Sequence, residues 1–438
     1  MHARTRTTTR RKVRFAALLA CVMVTSSSLA GAGLNTPGIR VPGGFKVAAR
    51  ARLAEGVYRY TITSKRPPQR IHVVRAPVGS GATLRLALSR GRIAGPSPRL
   101  SRTSVMCKAA RCLAGVNGSF FRNRSGTPLG AVVMNGEPVQ SSRSPREQLL
   151  VAPDGSMRFG KLRLPTSLIA RYPKQIKVAD LTATVDGLDE ERVLVVNGVN
   201  VYRKPDQTIL YTSRYGPRTP RDDRGVELLA KIIEPAGRLR VNRPTIVRPY
   251  ALRWQGNSPV KSNTVVLSGR GDGADQLVAL WRDISSGKAR EKLTLTVGTS
   301  TPTSQSLAGR PVLVKNGKIQ KVGDDSLARS RSPRTIMGWN ADGDVLLVTI
   351  DGRQRGARGM TLAEAARFAR RLGMVGALNL DGGGSTTYAE RGKLRNVPSD
   401  ALVIRGGKVV RTSATYRWDR VRRHVERPVS TAVLLVPA

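Results

Sequence analysis

The sequence predicts an α+β protein of mixed β-sheets with flanking helices, and three observations carry that expectation. Short runs rich in Val, Ile and Leu recur from Gly56 onward between Gly, Pro, Asn and Asp: Ile71–Val74, Leu84–Leu88, Leu149–Val151, Val193–Val196, Thr264–Leu267, Leu293–Val297 and Pro311–Val314. Apolar runs of this length bounded by turn formers read as strands. One segment has a helical period instead. Thr361-Leu362-Ala363-Glu364 forms a capping box, Leu362, Ala365, Ala366, Ala369 and Leu372 fall on one face, and Gly373 closes the helix. That helix sits between the apolar runs Val345–Ile350 and Ala377–Leu380, so residues 345–380 read as a strand–helix–strand unit, a parallel pair with a right-handed crossover. Its two strands end in Asp351 and Asp381, at the edge where open sheets bind ligands.

The 438 residues are 40% hydrophobic but only 4% aromatic, so a sizeable core has to rest on Val, Leu, Ile and Ala. Residues 1–30 read as a signal peptide: Arg4, Arg6, Arg10, Arg11, Lys12 and Arg14 precede the apolar run Phe15–Val24 and the small-x-small site Ser28-Leu29-Ala30. Gly/Pro-rich residues begin a flexible lead-in over 31–55, and one domain is expected over 56–438. No later stretch reaches the roughly 20 apolar residues of a membrane span, so the mature chain is expected to be secreted, with no transmembrane segment. Cys21 leaves with the signal peptide. Cys107 and Cys112 remain, an even pair that in an exported chain reads as one local disulfide, the alternative being two buried thiols.

The formal net charge is +46, falling to +40 without the signal segment. Such a charge favours an anionic neighbour. The basic residues are scattered, and no helix-turn-helix, zinc-finger or RNA-binding signature accompanies them, so a specific nucleic-acid partner is not expected. An anionic cell-surface polymer is the expected one. No Cys/His spacing resembles a zinc site, and neither a metal site nor a cofactor is predicted. Asp272 and Asp275 in Gly-Arg-Gly-Asp-Gly-Ala-Asp lack the spacing of a calcium loop and read as a turn.

The richest segment is Asn379-Leu380-Asp381-Gly382-Gly383-Gly384-Ser385-Thr386-Thr387. Three glycines after a buried strand let the backbone approach a ligand, and their N–H groups with the Ser385 and Thr386 hydroxyls could form an anion nest. A tight turn with a flexible tip is the other reading. The Gly-Lys-Ser/Thr of a phosphate loop and the Gly-x-Ser-x-Gly of a nucleophile elbow are both missing. His72 and His424 are the only histidines of the mature chain, and neither is near in sequence, which argues against a histidine-based triad.

This segment resembles the signature of the phosphodiester glycosidase family. Val116-Asn117-Gly118-Ser119-Phe120-Phe121 and Pro128-Leu129-Gly130 resemble its Val-Asn-Gly-x-Phe-Phe region, with Ser119 where relatives often carry Asp or Gly. Ser332-Pro333-Arg334-Thr335, the strand ending Asp351-Gly352-Arg353, Gly359-Met360-Thr361-Leu362, Pro398-Ser399-Asp400 and Glu426-Arg427-Pro428-Val429 follow in the family's order. A basic insert, Ala401–Val425, replaces a short connection.

The resemblance implies a secreted hydrolase that cleaves a sugar-1-phosphodiester bond, here in a cell-envelope or exopolysaccharide glycan. The other reading is a non-catalytic binder of anionic cell-surface polymer. A phosphate is already a good leaving group, so it needs cationic stabilisation more than protonation. The planar fork of arginine supplies that, which makes Arg334, Arg353 and Arg427 the phosphate-binding candidates. Asn117, Gly382, Gly383, Gly384, Ser385 and Thr386 are the further substrate-binding candidates. Carboxylates are needed to attack C1 or to activate water. Asp381 and Asp351 are the preferred pair, then Asp400 and Glu426.

Overall fold

A computed structural model describes residues 35–36, 38–93, 100–178, 181–406, 408–413 and 420–438. The expected signal peptide, with Cys21, lies outside the described residues.

The chain is β-rich, 47% strand against 11% helix, which overturns the α+β expectation. Two sheets position the candidate residues. Their strands are β1 (Lys46–Ala54), β2 (Val57–Lys65), β3 (Pro68–Ala76), β4 (Ala82–Leu88), β5 (Ala114–Asn117), β6 (Val312–Lys315), β7 (Lys318–Ile319), β8 (Arg334–Asn340), β9 (Val345–Ile350), β10 (Met374–Asn379), β11 (Tyr388–Glu390), β12 (Lys393–Leu394) and β13 (Thr431–Pro437). The larger sheet runs β7-β6-β10-β8-β9-β3-β2-β1 and the smaller β12-β11-β5-β13-β4. Every pairing in both is antiparallel. The expected lead-in 31–55 is therefore corrected in part: residues 46–54 are the edge strand β1.

The strand–helix–strand unit exists, but its strands are not neighbours. β8 lies between β9 and β10 and runs opposite to both, so β9 and β10 point the same way one strand apart. The misreading has a physical cause. Continuous apolar runs such as Val345–Ile350 suggest a parallel sheet because parallel sheets are covered on both faces. Here an antiparallel sheet is covered on both faces. Ile336, Val348 and Val73 face a core completed by Leu362, Ala365, Ala366 and Ala369 of the helix. Their neighbours Met337, Leu347 and Val74 face Val116, Val433 and Leu435 of the smaller sheet.

The helices are α1 (Thr103–Ala109), α2 (Asp272–Ser285), α3 (Ser326–Arg329) and α4 (Leu362–Arg371). The capping box of α4 is formed: Glu364 N–H donates to the Thr361 hydroxyl at 3.2 Å and Thr361 N–H to the Glu364 carboxylate at 3.0 Å. Such a cap is worth about 1 kcal/mol. α2 corrects the turn expected at Asp272 and Asp275, which instead occupy its first turn, where carboxylates favour the positive end of the helix dipole. Leu277 and Leu280 carry α2 onto a third sheet, eight strands built between Thr166 and Val297, which has its own core. The described part of the basic insert is a three-stranded antiparallel sheet, Ala401–Arg405, Lys408–Thr412 and Arg420–His424. Residues 407 and 414–419 of the insert lie outside the described residues. Among the described residues no helix is long and apolar enough to cross a membrane.

Candidate active site

β9 and β10 end, and β8 begins, at one edge of the larger sheet. Arg334 pairs with Ile350, Ile336 with Asn379, and Leu380 N–H donates to Thr335 O at 2.9 Å. Antiparallel register therefore gathers Asp351, Pro333-Arg334 and Asp381. Asn117, the last residue of β5, ties in the smaller sheet. Its amide donates to Asp381 O at 2.6 Å and accepts from the Thr335 hydroxyl at 2.7 Å and from Thr387 N–H at 3.1 Å. The side chain is buried, and three of its four hydrogen-bonding positions are taken by backbone and Thr335. Asn117 thus positions the Asp381 backbone.

Each glycine of the triplet has a steric reason. A Cβ at Gly382 would lie 2.9 Å from Pro333 O, and one at Gly384 would lie 2.1 Å from both Arg427 Nη2 and Asp400 Oδ1. Gly383 has φ +60° and faces the Arg353 guanidinium, 3.2 Å from where a Cβ would be. The turn is a 3₁₀ segment, Gly383–Ser385, in which Gly383 N–H donates to Pro333 O, Ser385 N–H to Gly382 O and Thr386 N–H to Gly383 O. Of the glycine amides of the expected anion nest, that of Gly383 is thus taken by Pro333 O. The triplet serves close approach: it lets two arginines lie against the backbone beside Asp381.

Exposure and bonding separate the candidates. Asp351 is 1% exposed, ion-paired to Arg70 at 3.1 Å, and accepts from Asn396 Nδ2 and Val397 N–H. Burial pushes its pKa up to about 6, against the lowering effect of Arg70. Asp400 is bound by both nitrogens of the Arg427 fork, at 2.8 and 3.0 Å, and by Arg411 of the insert at 3.1 Å. Glu426 accepts from Ser104 N–H at 2.9 Å in the first turn of α1. Arg334, 1% exposed, donates to the carbonyls of Met360, Leu327 and Ser330. Desolvation, then the nearby Arg353 charge, lowers its pKa to about 10. These groups hold the loops together.

Asp381 stands apart. It is partly exposed, as are Gly382, Gly383, Arg353 and Arg427, and no arginine ion-pairs with it among the described residues. Dense packing around its carboxyl raises its pKa to about 6, while a hydrogen bond from Ser385, the Arg427 charge and Gly382 N–H pull the other way. Arg353 sits at φ +59°, a conformation that costs a non-glycine residue about 1 kcal/mol. Burial and the charge of Arg427 lower its pKa. An anion bound between Arg353 and Arg427 would relieve that effect on Arg353.

Sequence reasoning missed Arg70, Asn396 and Arg411. Asn396, two residues before the Pro398-Ser399-Asp400 motif, bridges Asp351 to Thr386 O at 3.1 Å, and its place beside that motif was the available signal. Arg70 is 281 positions from its partner Asp351, with no local signal at all. Cys107 and Cys112 are joined by a disulfide.

Residues 254–435 match the family model for phosphodiester glycosidases. The chain is 37% identical over 113 residues to N-acetylglucosamine-1-phosphodiester alpha-N-acetylglucosaminidase of Mus musculus, covering 23% of this chain and 22% of that protein. It thus spans about a fifth of the length of that curated relative. Among solved structures, one from Burkholderia pseudomallei superposes with a TM-score of 0.59 at 20% identity, covering 94% of this chain and all of the other. One from Synechocystis superposes with a TM-score of 0.56 at 18% identity, covering 87% of this chain and 62% of the other. These two likenesses show the fold.

Proposed function

We propose, from a chain whose residues 254–435 carry a phosphodiester glycosidase domain, that the protein hydrolyses a sugar-1-phosphodiester, freeing the sugar and leaving a phosphomonoester. The observation that carries this reading is the partly exposed cluster of Asp381, Arg353 and Arg427 around the glycine triplet. The guanidiniums bind the phosphate and stabilise the charge that collects on it as the C1–O bond breaks. Ionised Asp381 takes a proton from the water that attacks C1. Glycosidases ordinarily need a second carboxyl to protonate the leaving oxygen. A phosphate leaves as an anion already stabilised, so one carboxylate suffices, in keeping with the engagement of Asp351, Asp400 and Glu426 elsewhere. Arg427 is oriented for the task by Asp400, and Asp400 by Arg411 of the insert.

The protein acts outside the cytoplasm, on a phosphate-linked glycan of an envelope or exopolysaccharide. The N-terminal sequence, the +46 balance and the disulfide support that setting. Sugar release from a panel of glycosyl phosphodiesters tests the reading. Wild type should release sugar with inversion at C1, read by NMR, and Asp381→Asn should lower kcat by at least about a hundredfold. Undiminished turnover by Asp381→Asn, or no release from any member of the panel, rejects it.

A further inference from the structure

We propose that a second cleft, next to the candidate active site but separate from it, is a binding subsite for phosphate-bearing glycan. The cleft has a volume of about 720 Å³ and is lined by Arg122, Arg143 and Arg146 with Ser, Thr, Gln, Asn and Tyr side chains, and by no carboxylate among the described residues. That volume is within the roughly 300–1,000 Å³ of small-molecule sites and far exceeds one phosphate. Arg122, Arg143 and Arg146 are exposed, and none has an acidic partner among the described residues. Three such guanidiniums facing one space leave a positive potential that an anion neutralises.

The floor of the cleft supplies an independent observation. Gln140 is 6% exposed, and its Nε2 donates to the carbonyls of Pro128 and Gly130, both at 3.0 Å. Those two bonds settle which end of the amide is nitrogen. The Oε1 left over is buried with no donor among the described residues. A buried acceptor without a partner is rare and calls for a reason, and a sugar hydroxyl in the cleft is a donor that would reach it once a small turn of the Gln140 amide opens the atom to that space. At the rim, Tyr202 is 63% exposed, with the Arg143 guanidinium 5.9 Å from its ring centre. An exposed ring beside guanidiniums and serine hydroxyls suits a sugar carrying phosphate better than a bare anion.

One loop joins this cleft to Asp381. Gly118 O accepts from Asp381 N–H at 3.2 Å, and the chain then runs through Phe120, whose carbonyl accepts from Leu129 N–H, to Arg122, whose N–H donates to Thr127 O at 2.9 Å. Gly118 and Arg122 are four residues apart, so their Cα atoms are separated by no more than about 15 Å. A polymer cut at Asp381 can therefore reach the cleft with its uncut remainder. That identification of the occupant rests on the hydrolase reading, whereas binding in the cleft does not.

The test uses the full chain as Asp381→Asn, so that turnover during the titration is suppressed. Isothermal titration at fixed ionic strength compares a glycan of mannose-phosphate repeats with a neutral mannan of equal length. The phosphate-bearing glycan should bind and the neutral one should not. Adding Arg122→Gln with Arg146→Gln, both exposed positions, should weaken binding at least tenfold. Adding Tyr202→Ala should weaken the glycan more than inorganic phosphate. In the otherwise wild-type chain, Arg122→Gln/Arg146→Gln should turn over a small aryl glycosyl phosphodiester within twofold of wild type. Glycan affinity unchanged in the arginine variant overturns the subsite. So does a single-stranded oligonucleotide of equal charge that binds as tightly and loses as much. If glycan binding falls in the variant while wild type hydrolyses nothing, the subsite stands and the hydrolase reading fails.

Discussion

Replacing Ser385 by Ala should move the acid limb of the pH–rate profile, because Ser385 donates to the carboxyl on which the proposed chemistry depends. Packing raises the Asp381 pKa to about 6, with the Ser385 hydrogen bond foremost among the effects that hold it down. If ionised Asp381 receives the proton of water, kcat/KM follows its ionised fraction. About nine-tenths is ionised at pH 7 and about one-tenth at pH 5, so activity should fall roughly tenfold between them. A hydrogen bond to a charged group is worth about 1.5 kcal/mol, which is about one pKa unit. Ser385→Ala should therefore shift the limb up by about one unit, costing several-fold in kcat/KM at pH 6 and little at pH 8. The assay is initial-rate release of sugar from a glycosyl phosphodiester, whose phosphate does not titrate in this range, with folding checked by circular dichroism at each pH. A limb that stays in place in Ser385→Ala, or a rate that rises as pH falls, would refute the assignment of Asp381 as the base.

Three further outcomes follow from the packing. Gly384→Ala would place a Cβ 2.1 Å from Arg427 Nη2 and Asp400 Oδ1, so turnover should fall at least about tenfold. Denaturant titration should show a loss of about 1–3 kcal/mol from overpacking, and wild-type kinetics in this variant would contradict the arginine placement. His72 is buried, with neither ring nitrogen bonded among the described residues, and desolvation lowers its pKa from 6.5 to about 4. The unfolded chain therefore takes up the proton first, and stability drains as pH falls from 6.5 towards 4. Asp351 and Asp381, with raised values, oppose this, so the informative quantity is wild type against His72→Met. The variant should gain about 3 kcal/mol relative to wild type between pH 7 and pH 4, measured by urea unfolding. Reducing the Cys107–Cys112 bond closes no long loop and should cost about 2 kcal/mol. A midpoint unchanged by reductant would show that the bridge contributes nothing.

Local chemistry determined what the sequence could show by itself. The α4 capping box, its apolar face and the closing Gly373 are interactions between near neighbours, and all were legible. So was the segment Asn379–Thr387, because a glycine triplet after an apolar strand is a local demand for close approach. The strand pairings were not legible. An apolar run does not say whether its two covered faces belong to a parallel or an antiparallel sheet, and the insertion of β8 between β9 and β10 depends on residues that precede both. The roles of the carboxylates were hidden for the same reason. Asp351 and Asp381 end equivalent strands in Asp-Gly, yet the first is met by Arg70 and Asn396 and the second, a partly exposed residue, has no arginine ion pair among the described residues. Burial and partners come from elsewhere in the chain, and only the tertiary structure decides which of two similar carboxyls is held in an ion pair and which is left without one among the described residues.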